Sequence, residues 1–275
     1  MPFTIPKTIV MQKAFAALIT LIVFATVLLS CQKEPGRLPG TPPSKTVKKV
    51  AGALSTAVQY EYNAEGNVTR YISQWKDAAG TLIRQNNVFT YSAGNRLVKW
   101  ANDAGNGFYT YQNGRLSHSE HFAINGKKIA TLYYDFGAED RLTTVTEVLA
   151  NPLPGGPVQT RVRYEYGANG NVSRIDFAYR NKSSEPFLLH FSKHFVTYDN
   201  KVNPEPDGVL GAFLPGVVLM YNNPIRIENR AADGRLEGYL RYEYAYNNSG
   251  LPAQRKQYIA TGDVEAPPLT FTYEY

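Results

Sequence analysis

From residue 56 onward, apolar and polar side chains alternate along the chain with a period of two. Val58, Tyr60 and Tyr62 alternate with Gln59 and Glu61. The same alternation runs through residues 161–166, 239–246 and 269–275. This period places one apolar and one polar face on a β-strand, and Tyr, Phe, Thr and Val all favour a pleated surface. The pattern therefore predicts strands that bury one face and expose the other to water.

A short phrase recurs along these strands and indicates how they connect. It reads aromatic-x-Tyr, a few small residues, Gly with Asn or Arg, then Val or Leu. The clearest copies are Tyr60-Glu61-Tyr62 leading to Gly66-Asn67-Val68, and Tyr164-Glu165-Tyr166 leading to Gly170-Asn171-Val172. Looser copies start at Phe89, Tyr109, Tyr133, Tyr242 and Phe271. Asn and Gly adopt the positive φ angles of tight hairpin turns, so each copy predicts a hairpin with a return strand such as 68–74 or 172–179.

The repeats predict an all-β fold, a large curled antiparallel meander of repeated hairpins. Copies follow one another too closely for helical crossovers, which favours roughly 12 to 16 antiparallel strands. A sheet of this length twists and curls, and the sequence leaves an open half-barrel, a barrel and a short solenoid as alternatives. A Pro- and Gly-rich loop interrupts the pattern at 151–157, and an insertion does so at 201–224. The insertion is either a plug over the apolar face, the favoured alternative, or a ligand site.

Residues 1–30 have the composition of a signal peptide. Lys7 and Lys13 precede an uncharged, mostly apolar run at 14–29, which is shorter than the about 20 residues of a membrane span. The true start is Met1 or Met11. Residues 31–50 are rich in Pro and Gly and predict an extended tether, which leaves 51–275 as the folded domain.

Leu28-Leu29-Ser30-Cys31 resembles the lipobox of bacterial lipoproteins. The resemblance implies cleavage before Cys31 and acylation of Cys31, including its new amino terminus, so that palmitate-type chains anchor the protein to a membrane. Residue 32 is Gln rather than Asp, which by analogy with Gram-negative lipoproteins indicates the outer membrane. An ordinary secreted protein and an uncleaved signal anchor are the alternatives. Cys31 is the single cysteine, so no internal disulfide holds the fold.

Charge distribution argues against a nucleic-acid partner. The whole chain carries 29 Lys and Arg against 23 Asp and Glu. Seven of those basic residues and one acidic residue precede residue 51, so the folded domain holds 22 of each and is formally neutral. A nucleic-acid-binding domain carries its own basic excess to neutralise phosphates.

The segment 164–174 is similar to the YD (tyrosine-aspartate) repeat of RHS proteins, as are residues 60–70. The insertion, with Tyr198-Asp199-Asn200 leading to Asn222-Asn223-Pro224, resembles a related family of Gram-negative lipoproteins that forms a domain of unknown function. The resemblance spans about residues 55–275. It implies a β-strand shell and an envelope location, and it supplies no catalytic residue.

Neither the histidines nor the carboxylates form a recognisable catalytic or metal motif. His118 and His121 should point to opposite faces of a strand, whereas His190 and His194 should share one. Exposed strand histidines are favoured over a metal site, and a nucleophile within 117–121 has no supporting motif. Glu61, Glu165 and Glu243 occupy equivalent repeat positions, which is typical of a solvated face. No catalytic residue, metal ligand or cofactor is assigned.

Aromatic residues are the candidate ligand contacts, since the chain has 20 Tyr, 13 Phe and 2 Trp. Most should form the core of the sheet. Trp75 and Trp100 follow the second strands of hairpins, near loops, and are the candidate stacking residues for a glycan or protein ligand. Three functions follow: a non-enzymatic binding or scaffolding protein of the envelope, which is favoured; a hydrolase of envelope components or polysaccharides; and a structural spacer.

Replacing Cys31 tests the lipid anchor. We expect Cys31→Ala to remove the acyl mass shift and to move the protein from the membrane fraction to the soluble fraction, because acyl chains provide the membrane affinity. Cell fractionation and intact-mass spectrometry measure the two effects. Ser44→Ala, in the same tether, is the control. Membrane partition and an acyl mass shift that persist in Cys31→Ala would contradict the prediction.

Overall fold

The computed structural model describes residues 46–52, 56–77, 79–262 and 264–275. Cys31, the predicted signal peptide and residues 31–45 of the predicted tether lie outside the described residues. No helix among the described residues is long and apolar enough to cross a membrane. The described chain forms seventeen strands: β1 (Lys49–Gly52), β2 (Ala57–Tyr62), β3 (Val68–Lys76), β4 (Leu82–Tyr91), β5 (Leu97–Asn102), β6 (Gly105–Gln112), β7 (Arg115–Ala123), β8 (Lys128–Phe136), β9 (Leu142–Leu149), β10 (Gln159–Tyr166), β11 (Val172–Arg180), β12 (Leu188–Val202), β13 (Asn222–Ala231), β14 (Leu236–Tyr246), β15 (Pro252–Thr261), β16 (Val264–Glu265) and β17 (Leu269–Glu274).

Sixteen of these strands close into an antiparallel barrel. Each strand from β1 to β15 pairs with the next, β15 pairs with β17, and β17 pairs with β1. Val50 of β1 lies opposite both Tyr273 of β17 and Val58 of β2, which completes the ring. The two-residue β16 pairs with β15 at the rim. The predicted all-β antiparallel meander is confirmed, and among the three predicted forms the chain adopts the barrel. Its first strand begins at Lys49, within the last two residues of the predicted tether.

Each recurring phrase folds as a strand, a β-bulge and a short turn. In the β2–β3 hairpin the bulge lies between Glu61 and Tyr62, and Gly66 closes the turn with φ of 82°. Bulges also precede the second aromatic of the phrase in β4, β6 and β10. In β8 and β14 the bulge precedes the next aromatic, Phe136 or Tyr246. Most of these tight turns have more than two residues, because a type I turn followed by one residue with positive φ restores the strand twist. Asn113-Gly114, with φ of 51° and 81°, is a two-residue turn.

A tyrosine near the end of several strands joins its hairpin to an earlier part of the chain. The Tyr91 hydroxyl donates a hydrogen bond to the carbonyl oxygen of Val68, the first residue of β3, at 2.7 Å. Tyr166 bonds in the same way to Leu142, the first residue of β9, at 2.8 Å. Equivalent bonds run from Tyr62 to Val47, Tyr111 to Leu97, Tyr198 to Val172 and Tyr275 to Pro252. We call these bonds the tyrosine ring; they lie at the barrel end where the second aromatics and their turns are found.

The apolar face of the strands is the inner face of the barrel. Tyr60, Tyr109, Tyr164 and Tyr273, from well-separated strands, are all buried in one core with the apolar starts of the return strands. Their strand neighbours point outward and are exposed, as with Glu61 and Arg163. Burial of these large side chains, each worth about 1.5–3 kcal/mol on transfer from water, drives the curling of the sheet.

The insertion between β12 and β13, residues 203–221, enters the barrel at the tyrosine-ring end. Val209, Ala212 and Leu214 are buried in the same core as the inner wall. The ring of Phe213 lies 5.3 Å from that of Phe89 and 6.1 Å from that of Tyr60, both in edge-on contact. The predicted insertion at 201–224 is therefore the plug of the first alternative, and we call residues 203–221 the plug.

Polar contacts fasten the plug to the wall. The Arg255 guanidinium of β15 pairs with Glu205 at 2.6 Å, and the Tyr273 hydroxyl donates to the same carboxylate at 2.7 Å. Asp207 accepts the backbone N–H groups of Leu219 and Met220 through Oδ2, while its Oδ1 is buried without a partner among the described residues. Desolvation by burial, despite these two hydrogen bonds, raises the pKa of Asp207 to about 7.

Removing one tyrosine hydroxyl tests how much the hydrogen bonds of the tyrosine ring contribute to stability. We expect Tyr166→Phe to lower the free energy of unfolding by about 1–1.5 kcal/mol, because the Leu142 carbonyl loses its partner while the ring stays buried. Urea denaturation measures the change. Tyr133→Phe is the control, since Tyr133 points outward and is 47% exposed. Equal effects of the two substitutions would show that the bond contributes nothing.

The raised pKa of Asp207 predicts that pH affects the plug. A carboxyl whose pKa is higher in the folded than in the unfolded state stabilises the fold when protonated. Its contribution to stability should therefore fall between about pH 4 and pH 7, by on the order of 1.4 kcal/mol per pH unit, and then stay level. Asp207→Asn keeps an oxygen acceptor and should remove this dependence. A stability difference between wild type and Asp207→Asn that is the same at every pH would contradict the prediction.

Candidate functional site

The half of the barrel interior beyond the plug is lined by half-buried and exposed aromatic side chains. Cross-strand pairs show which residues point inward. Tyr71 lies opposite the core residue Tyr60 and so points inward, and Trp75, four residues later on β3, points to the same side. On β5, Trp100 lies opposite the core residue Phe89. We call the following inward-facing residues at this end the lumen cup: Trp75, Trp100, Phe177, Tyr179, Phe191 and Ile259.

Both tryptophans singled out in the sequence lie in the lumen cup, separated by β4. Trp75 is 38% exposed near the end of β3, where a ligand can reach its ring. Trp100 is held more firmly, because its indole lies flat on Gly107 of β6. A Cβ at Gly107 would approach the indole nitrogen to 2.2 Å, so a glycine is required there. The His121 ring contacts Trp100 edge-on at 5.5 Å, and burial lowers the pKa of His121 to about 4.

The opposite wall of the lumen cup carries aromatics that the sequence analysis did not single out. Phe177 of β11 and Phe191 of β12 stack at 4.3 Å with their planes 12° apart. Tyr179 lies two residues beyond Phe177 on the same face and contacts the His190 ring at 5.9 Å. The period-two alternation of β11 indicates that Phe177 and Tyr179 face the same side of the sheet. Whether such an inward residue is covered by the plug or open to a ligand depends on its depth in the barrel, which local sequence does not show.

Polar groups lie among these rings. The Asn102 side-chain amide donates to Asn87 at 2.9 Å, and the Thr160 hydroxyl donates to Glu147 at 2.8 Å, all four being inward-facing residues. The Lys193 ammonium lies 5.9 Å from the centre of the Phe177 ring. Amide, carboxylate and ammonium groups beside aromatic faces are the lining that orients a small polar ligand in a mostly apolar pocket.

Three histidines contact serine hydroxyls: His118 contacts Ser117 at 3.4 Å, and two closer Ser–His pairs lie on different faces of the barrel. Ser119 Oγ and His121 Nε2 lie 2.9 Å apart on the inner side, and Ser119 is fully buried and also bonded to Tyr134. His118 points outward beside Tyr133, so the prediction that His118 and His121 face opposite sides is confirmed. A buried serine with a histidine neutral at pH 7 and of low basicity is poorly suited to nucleophilic catalysis.

The second pair is Ser192 with His194, 2.9 Å apart on the outer side. A bulge beside Ala178 leaves His190 between the two faces, next to Phe191, so the prediction that His190 and His194 share a face is wrong. Among the described residues, no group of three or more His, Cys, Asp and Glu side chains is arranged to hold a metal ion.

The outer wall carries charged side chains in cross-strand pairs. The repeat carboxylates Glu61, Glu165 and Glu243 lie here and pair with arginines at 2.6–3.2 Å, as expected for a solvated face. On β13, Glu228 is held between Arg226 and Arg230 at 3.0 and 2.7 Å. A strand that faces lipid instead presents an apolar band, and charged residues at its centre cost about 2–4 kcal/mol each.

Structural comparison identifies similar barrels. A porin-like protein from Bacteroides uniformis aligns with a TM-score of 0.57 and 15% identity over 85% of this chain and 99% of its own. A porin-like protein from Bacteroides vulgatus aligns with a TM-score of 0.49 and 12% identity over 84% and 99%. Part of a TcdB2-TccC3 structure aligns with a TM-score of 0.24 and 15% identity over 82% of this chain and 12% of its own. No family model and no curated protein matches the sequence. The similarity to the first of these structures shows that the chain has a porin-like barrel fold.

Proposed function

We propose that this chain is a lipid-anchored, non-enzymatic binding protein of the Gram-negative outer membrane, and that its lumen cup holds a short glycan segment. The observation that carries the proposal is the pair of aromatic walls that line one half of the barrel interior while the plug fills the other. The membership in the YD-repeat-like lipoprotein family that the sequence suggests is part of the same proposal.

A glycan suits the chemistry of the lumen cup. A pyranose ring offers an apolar C–H face for stacking on Trp75 or Phe177 and a rim of hydroxyls for polar groups. The side chains of Asn87, Asn102 and Glu147 supply donors and acceptors on the same inner surface. A purely apolar ligand would bury the remaining donors and acceptors of these side chains without partners, which is unfavourable.

The anchor and the outer wall support the envelope location together. Cys31 follows an apolar segment in a lipobox-like sequence, so acyl chains there would provide membrane attachment. The charged outer wall of β10 to β15 is suited to water rather than to a bilayer interior. A lipid anchor attached to a water-facing barrel satisfies both observations.

Binding of glycans to the full-length chain in neutral detergent tests the proposal. A glycan array of envelope and dietary oligosaccharides, followed by calorimetry on the best ligand, should find saturable binding. Trp75→Ala should weaken it by about tenfold, corresponding to about 1.4 kcal/mol for a lost stacking contact. Trp100→Phe should weaken it less, because an aromatic face is retained over Gly107.

The matched control is Phe108→Ala, which removes an aromatic that is 45% exposed on the outer wall. It should leave glycan affinity unchanged. Equal loss in Phe108→Ala and Trp75→Ala would place the ligand outside the lumen cup. Absence of binding across the array would contradict the glycan proposal, and turnover of an oligosaccharide would favour the hydrolase alternative.

A further inference from the structure

An open cleft on the outer wall contains more positive than negative charge. It lies across β10, β11 and β12 and is lined by Arg161, Arg163, Arg174, Asp176 and Phe187. Arg161 and Arg163 alternate along β10 with Val162 and Tyr164, which face inward, so the two arginines point away from the lumen. Arg174 likewise alternates with the inward-facing Ile175 on β11. Phe187, from the loop before β12, covers one side of the cleft.

The acidic groups at this cleft are already occupied. The Asp176 carboxylate is buried and binds Arg163 through Oδ2 at 2.9 Å and Arg174 through Oδ1 at 2.6 Å. Glu165 pairs with the same Arg163 at 3.1 Å. Arg180 donates to Gln159 at 2.6 Å rather than to a carboxylate. Four guanidiniums and two carboxylates therefore leave two positive charges uncompensated around the cleft.

Arg161 is the guanidinium that this network leaves available. Its charged group lies 4.1 Å from the centre of the Phe187 ring, and Arg180 lies 4.6 Å from the same ring. Among the described residues, the guanidinium of Arg161 has no hydrogen-bond or ion-pair partner. Partial burial, and then the positive charges of Arg163 and Arg180, lower the pKa of Arg161. A further anion would relieve this repulsion and fill the free donors.

We propose that this cleft is a binding site for a phosphate monoester, with Arg161 as its principal donor. A phosphate monoester carries close to two negative charges at pH 7, which matches the two uncompensated charges of the cleft. Guanidinium groups bind such oxyanions through paired N–H donors. Phe187 would contact the apolar group that carries the phosphate. The source of the phosphate is either a soluble metabolite or a lipid headgroup.

Calorimetry with inorganic phosphate tests the site in the full-length chain, in neutral detergent at pH 7 and low ionic strength. We expect one saturable site. Arg161→Gln should weaken binding at least about tenfold, the effect of removing one charge-assisted contact, and Arg161→Lys should retain part of the affinity. Arg84→Gln, which removes an exposed outward arginine on β4, should leave affinity unchanged.

Two outcomes would overturn the binding site, and a third would overturn its assignment to a phosphate group. One is the absence of saturable binding up to about 10 mM phosphate. The other is equal weakening by Arg161→Gln and Arg84→Gln, which would indicate a general charge effect. Acetate that binds as tightly as phosphate would overturn the assignment to a phosphate group. Thermal unfolding of each variant checks that the barrel is intact.

Monomeric dihexanoyl phosphatidic acid distinguishes the two sources, because it adds short acyl chains to the same phosphate group. Affinity higher than that for inorganic phosphate, lost again in Phe187→Ala, would support a lipid headgroup. Equal affinity for the two compounds would support a soluble phosphate monoester. Both results keep the phosphate site, which is independent of glycan binding in the lumen.

Discussion

The hydrogen bonds of the tyrosine ring are the constraint on which the rest of the barrel depends. Five of the six join a tyrosine at or near the end of one strand to the first residue of an earlier strand, as Tyr91 does to Val68 and Tyr166 to Leu142, and the sixth joins Tyr62 to Val47 just before β1. A bulge before the second tyrosine turns its side chain into line with that carbonyl group. Individually such a bond contributes about 1 kcal/mol, but the repeated geometry fixes how each hairpin sits against the preceding one.

The plug completes the end of the barrel that the tyrosine ring defines. Phe213 packs on Tyr60, Tyr71 and Phe89, so it shares the aromatic core of the wall. The plug also makes polar contacts with the wall, unlike the apolar packing of Phe213. Through Glu205 and Asp207 it brings carboxylates into a region of low dielectric. The Glu205 carboxylate is compensated by Arg255. Asp207 instead has two backbone donors and one oxygen without a partner in the part of the chain that the structure describes, which makes it the group of the plug that responds to pH.

The inner and outer faces of the barrel wall differ in their apolar and charged residues. A membrane-spanning barrel has an apolar outer band and a polar interior. Here the aromatics point inward, and Arg–Glu and Arg–Asp pairs cover much of the outer wall from β10 to β15. This arrangement leaves two surfaces with binding chemistry: the aromatic lumen cup inside and the arginine cleft outside. The similarity to porin-like structures thus describes the fold, while the side chains decide what each face contacts.

Local sequence was sufficient to predict the strands, the turns and their solvent side, because period-two alternation and turn residues act over a few neighbours. It also predicted the insertion and favoured a plug that packs on the apolar face of the sheet, since an apolar segment beside such a face can bury its side chains there. Closure of the sheet, the lumen cup and the arginine cleft were decided by tertiary structure. Val50 pairs with Tyr273, which lies 223 positions further along the chain, and Phe177 contacts Phe191 through a register set by a bulge. Such contacts depend on the summed twist and stagger of all strands, which no single segment encodes.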